Sequence, residues 1–114
     1  MAKVEIVQSL IDEIEKKFKG EAHKIIDLLE TLEKNPHKGK IVGQVGGLLV
    51  KELKYNSFRF YFIVDGNKLK VFSEEELVDM LIMFVRMSDK KDQQKTIDEI
   101  RNILSNIGIK GLTE

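Results

Sequence analysis

The apolar positions change period along the chain, and each change predicts a different element. Val4, Ile6 and Val7 predict a short first strand, although the same residues could begin the helix that follows. From about Ser9, the spacing of Leu10, Ile11, Ile14 and Phe18 is helical, with charges between them and Gly20 as the stop. Ala22, Ile25, Ile26, Leu29 and Leu32 form a second helical stripe that Asn35-Pro36 closes. Two amphipathic helices joined at a glycine predict an antiparallel pair whose apolar stripe must lie on something else.

The next segment supplies that surface. After the glycine-rich stretch GKIVGQVGG, whose glycines are expected in turns or a loop, come three β-branched and aromatic runs: LLVKEL, FRFYFIV and KLKVF. Asn56-Ser57 can turn the first pair, and Asp65-Gly66 is a strong type I′ hairpin signal, so the expectation is an antiparallel meander. Along the middle run, Phe58, Phe60, Phe62 and Val64 share one face and Arg59, Tyr61 and Ile63 the other. The all-apolar face belongs under the helices. The mixed face is the candidate working surface.

Residues 73–88, SEEELVDMLIMFVRMS, allow two readings. Ser73 with Glu76 makes a capping box, and Leu77, Leu81 and Phe84 have helical spacing, whereas LIMFV is a compact apolar run typical of a buried strand. The reading adopted is a helical turn near Glu74 to Asp79, then a strand from about Met80 to Arg86. Ile97, Ile100, Leu104 and Ile107 mark a closing helix ended by Gly108. The class is α+β: two N-terminal helices on an antiparallel sheet, with a C-terminal helix.

At 114 residues and 42% hydrophobic content, the chain suits one domain with one core. It contains no apolar run of about 20 residues and no secretory-type start, so a cytoplasmic, membrane-free protein is expected. Having no cysteine, it offers neither disulfides nor thiolate chemistry. The 19 basic and 19 acidic residues cancel, yet residues 34–70 carry 8 basic and only 2 acidic side chains. Concentrating like charges against their own repulsion marks that third as either a solvated face or an anion-binding one.

Familiar catalytic motifs are absent. His23 and His37 are isolated, GQVGG lacks the Gly-Lys-Ser/Thr ending of a P-loop, and Glu74 to Glu76 fit a helix cap. Asp98-Glu99 sits in a helical surface pattern, which disfavours a carboxylate dyad. What remains is Lys51, Lys54, Arg59, Tyr61, Arg86, Lys90 and Lys91, with Lys38 and Lys40 just upstream in the basic third. Arg59 and Tyr61 share a strand face, and Lys54 lies across the short turn from Arg59. Such cations can hold phosphates without a metal, and RNA cleavage by its own 2′-hydroxyl needs chiefly alignment, a proton acceptor and stabilisation of phosphoryl charge.

The stretches LLETLEKNPHKGK, VKELKYNSFRFYFIVDGNKLKVF and MFVRMSDKKDQQKTIDEIRNIL, in that order, resemble the RelE/ParE toxin superfamily of type II toxin-antitoxin systems, including its HigB-like branch. The resemblance covers most of the chain. It implies two helices on a curved antiparallel sheet whose concave face is open, a cognate antitoxin protein as partner, and, in the RelE and HigB branches, metal-independent, cofactor-free cleavage of messenger RNA on the ribosome. By position, it implies that Lys54 contacts the RNA backbone, that Arg59 stabilises charge at the scissile phosphate, and that Lys90 or Lys91 matches the basic turn after the last strand. Tyr61 and Lys91 complete the expected catalytic set with Lys54 and Arg59. Lys38, Lys40, Lys51, Arg86 and Lys90 are expected to bind RNA. A ParE-like gyrase inhibitor, or a toxin-fold protein-binding module without chemistry, is the alternative. The chain departs from the nuclease pattern in its neutral charge, in Val50 where some members carry Lys, and in having no Tyr or His beyond Lys91.

Overall fold

A computed structural model describes residues 2–71 and 79–113. Five strands, β1 (Ala2–Ile6), β2 (Lys40–Val45), β3 (Leu48–Tyr55), β4 (Phe58–Asp65) and β5 (Met80–Asp89), form one sheet in the order β1-β5-β4-β3-β2. Four helices, α1 (Gln8–Phe18), α2 (Ala22–Glu30), α3 (Gly66–Val71) and α4 (Gln93–Asn106), complete the α+β fold. No helix among the described residues is long and apolar enough to cross a membrane.

Of the expected meander, the β3–β4 hairpin is present, but β4 takes β5 as its other antiparallel neighbour in place of the KLKVF run, and the sheet is mixed. β1 runs parallel to β5, with Ala2 opposite Met80 and Ile6 opposite Phe84. The outer edge of β1 is closed by Glu33, whose carboxylate accepts the Val4 N–H at 3.0 Å, which blunts an edge that would otherwise invite pairing. Val7 then turns the chain into α1, donating its N–H to the Phe84 carbonyl and accepting those of Leu10 and Ile11. Leu10 and Ile14 of α1 and Ile25 and Leu29 of α2 are fully buried. Phe18, at the end of α1, meets Phe58 edge-on with ring centroids 5.0 Å apart. The helix pair therefore lies on the Phe58–Phe60–Phe62 face, as the alternation predicts.

The opposite face is not open. The apolar stripe of α4, Ile97, Ile100 and Leu104, is buried against it, and α4 reaches β2, β3 and β5. As a result Val50, Tyr61 and Ile63 are as buried as the phenylalanines behind them. The expectation of an exposed concave face fails because a 14-residue amphipathic helix must cover an apolar surface, and the remaining sheet face is the one available.

Two further expectations fail for local reasons. Within GKIVGQVGG, Lys40–Val45 is a strand, β2, and Gly46-Gly47 serve the expected turn: Gly43 lies opposite Val50, where a Cβ would come within 3.1 Å of Arg101 Cδ on α4. Its glycine marks a close approach in a strand. Lys68 to Val71 of the KLKVF run are helical and not a strand, because Asp65-Gly66 starts α3 instead of a hairpin; Phe72 falls outside the described residues. The Asp65 carboxylate accepts the N–H groups of Asn67 at 2.9 Å and Lys68 at 3.1 Å, while Gly66 N–H goes to Gly47 O in the β2–β3 turn. The helical turn expected near Glu74 to Asp79, with the Ser73–Glu76 capping box, falls outside the described residues except for Asp79. The strand that follows runs on past Arg86 to Asp89, with an irregularity in its pairing between Tyr61 and Phe62. Gly108, at φ +95°, closes α4 as expected, its N–H returning to Ile103 O.

Asp65→Ala should remove both capping bonds and lower stability by about 1 kcal/mol, with Asp65→Asn close to wild type; urea midpoints of the two variants check this.

Candidate functional site

Pairing between β2 and β3 ends at Lys40 opposite Glu52, and beyond that point a cleft of about 500 Å³ opens. Its lining is Lys38, Gly39, Lys40, Glu52, Leu53, Lys54, Arg59 and, from the first turn of α4, Gln93. Register explains the grouping. Lys40, Glu52 and Tyr61 form one row across the sheet, and Lys54, Arg59 and Ser88 the next. Residues directly opposite on antiparallel strands share a face, so Lys40, Glu52, Lys54 and Arg59 converge.

Lys38 reaches the cleft because the preceding loop closes tightly on the sheet. Gly39 has φ +102°, and a Cβ there would stand 2.9 Å from the Phe62 ring and 3.1 Å from Glu52 O. Only glycine fits both demands. The loop is also tied from beneath: Lys51 donates its Nζ to His37 O at 3.2 Å and sits 5.6 Å from the centroid of the Phe62 ring. Lys51 pairs with Phe62 in the register and so belongs to the opposite face from Arg59. At 3% exposure, burial pushes its amine pKa down. It is a support under the cleft, not one of the cations that a bound anion would meet.

Arg59 is held from three sides. Its Nε lies 2.9 Å from Glu52 Oε1, and Nη1 donates to Phe58 O at 3.1 Å and Asn56 O at 3.4 Å. Both partners of the ion pair are nearly buried, with side-chain exposures of 8% and 11%. Lys38, Lys40 and Lys54 are exposed, and among the described residues no carboxylate pairs with them. Four cations thus share the cleft with one carboxylate, which is the donor set of an anion site.

The other expected site residues lie elsewhere. Tyr61 is fully buried, and its hydroxyl shares a 2.9 Å hydrogen bond with Ser88. Burial pushes the phenol pKa up, opposed by the Ser88 hydrogen bond, so Tyr61 ties β4 to β5 beneath α4 instead of facing a ligand. Arg86 is engaged with Glu99 on α4 at 3.4 Å and with the carbonyls of Val85 and Leu112, which docks the C-terminal segment. Lys90 and Lys91 are exposed in the β5–α4 turn, and Gln93, lining the cleft, donates to Lys90 O at 3.1 Å. Neither lysine lines the cleft; Lys90 is joined to it through its carbonyl.

Of the residues the sequence singles out, the cleft gathers Lys38, Lys40, Lys54 and Arg59; the sequence placed Lys54 across the turn from Arg59 but did not group the two loop lysines with them, and it missed Gly39 and Gln93, which shape the cleft. Glu52 was visible on the right face, two residues from Lys54, but its pairing with Arg59 depends on the β3–β4 register.

Tyr61→Phe should cost about 1–2 kcal/mol by leaving Ser88 without its partner. Because the folded phenol titrates above the unfolded one, the stability it carries is complete below about pH 10 and is lost as pH rises through the folded value. Urea unfolding from pH 8 to 11 should show a flatter alkaline decline in the variant. No protein-family model, no curated protein and no solved structure matches the chain.

Proposed function

We propose that this chain is a RelE/ParE-like toxin of a type II toxin-antitoxin system, and that its cleft holds the phosphate backbone of messenger RNA for metal-independent cleavage on the ribosome. The observation that carries this reading is the convergence of Lys38, Lys40, Lys54 and Arg59 on one cleft, with Lys54 directly opposite Arg59. Lys54 and Arg59 are positions where the family resemblance expects RNA contact, and Lys38 and Lys40 belong to the expected RNA-binding set beside them. In this reading Arg59 meets the charge that builds on the phosphoryl oxygens as the 2′-oxygen attacks phosphorus and the bond to the 5′-oxygen breaks. Lys54 and the loop lysines hold the flanking phosphates, with the exposed Lys90 and Lys91, in the turn just before Gln93, extending the basic track. An acidic antitoxin segment over the same cleft would neutralise it.

A second reading, a toxin-fold binding module or ParE-like gyrase inhibitor, draws support from Tyr61 and Arg59. Tyr61 is sealed under α4, and Arg59 is already paired.

Expression should arrest growth, and Arg59→Ala should relieve the arrest. Purified protein added to translating ribosomes should cut messenger RNA. Intact messenger RNA combined with a fall in gyrase supercoiling would replace the nuclease reading with the gyrase one. Binding to a single-stranded RNA oligonucleotide should weaken steeply with salt, and each of Lys38→Gln, Lys40→Gln and Lys54→Gln should reduce the log–log slope by about 0.7.

A further inference from the structure

Arg59 is the cation best fixed in the cleft, yet its Nε already faces an anion. Glu52 Oε1 lies at 2.9 Å, a distance typical of a charge-assisted hydrogen bond to a carboxylate or phosphate oxygen. The two Nη1 contacts go to backbone carbonyls of the β3–β4 turn, so they orient the guanidinium without neutralising it. Glu52 alone does that, from a strand position opposite Lys40 and beside Lys54.

We propose that Glu52 is a built-in competitor for the anion site: its carboxylate occupies the seat on Arg59 that a phosphate takes, and a ligand reaches Arg59 only by displacing it. This rests on the reading of the cleft as an RNA-backbone site and assigns the regulation of that site. Displacement is feasible because Glu52 lines the open cleft, where water can solvate the released carboxylate. It also sets a threshold. A lone phosphate competes with a carboxylate that is tethered in place, whereas a backbone already anchored on Lys38, Lys40 and Lys54 delivers its next phosphate at high effective concentration. The cleft is thereby closed to small anions and opens to a polyanion.

Glu52→Gln tests this, since glutamine keeps the shape and its amide oxygen can still accept the Arg59 Nε–H. Affinity for a single-stranded RNA oligonucleotide should rise about tenfold, and the salt slope should steepen by about 0.7, one further phosphate contact. In an Arg59→Gln background the same substitution should give a gain of no more than about threefold, the residue of removing one negative charge. Equal gains in both backgrounds, or no gain in either, would overturn the competitor while leaving RNA binding intact. Inorganic pyrophosphate serves as a second probe. An Arg59-dependent gain for pyrophosphate without any RNA binding would keep the competitor and refute the RNA reading, and failure of both probes would refute both. In the wild-type protein, the Arg59 Nε–H resonance should move on saturation with the oligonucleotide; an unmoved resonance at saturation would also overturn the proposal, whatever the folding of the variants.

Discussion

The structure depends on one constraint: β4 is covered by helices on both faces. Phe60 and Phe62 are sealed under α1 and α2, and Tyr61 and Ile63 under α4. A strand in that position has no water for its polar side chains, and an unpaired buried charge or hydroxyl is costly. Each polar group on β4 accordingly has a protein partner, Arg59 in Glu52 and two carbonyls, and Tyr61 in Ser88. Among the described residues no buried side-chain polar atom is left without one. The mixture of rings and a cation along FRFYFIV thus reflects two faces that are both interior, with the open cleft confined to the end where α4 begins.

That end is also where the net neutrality of the chain stops mattering. The described acidic residues are spread over helices, strands and turns, and among them Glu52 alone lines the cleft, while the loop before β2 and the β3–β4 hairpin bring Lys38, Lys40, Lys54 and Arg59 of the basic third together. The potential a ligand meets is set by the nearest groups within a Debye length of about 8–10 Å, not by the whole-chain sum. A cleft of four cations and one carboxylate can attract an anion to a protein of zero overall charge.

How much of this was legible in the sequence follows the range of the interactions involved. The α1 and α2 stripes, the Asn56-Ser57 turn, the faces of β4 and the Gly108 stop are local patterns, and they read correctly. α3 was lost because Asp65-Gly66 carries two local meanings, a hairpin turn and a helix start, and the Gly66 N–H is taken by Gly47 O from the distant β2–β3 turn. β2 was lost because Gly43 looks like a turn residue until Arg101 is seen resting on it. The stripe on α4 announced a buried face but not which side of the sheet would receive it. Lys51 and Lys54 look alike in the sequence. Their opposite fates, one a buried prop and the other an exposed cation, come from the pleat and from what covers each face.

The parallel pairing of β1 with β5 bears on the order of assembly. β1 pairs with β5, which follows β2, β3 and β4 in the chain, with Ala2 against Met80, so Ala2–Ile6 cannot be paired until β5 has left the ribosome. Gln93, which closes the cleft, follows later still. Contacts so distant in sequence are slow to form because the intervening loop must first be ordered. The basic hairpin can fold early on its own local pairing, but the cleft that gives it a shape is among the last parts of the molecule to be built.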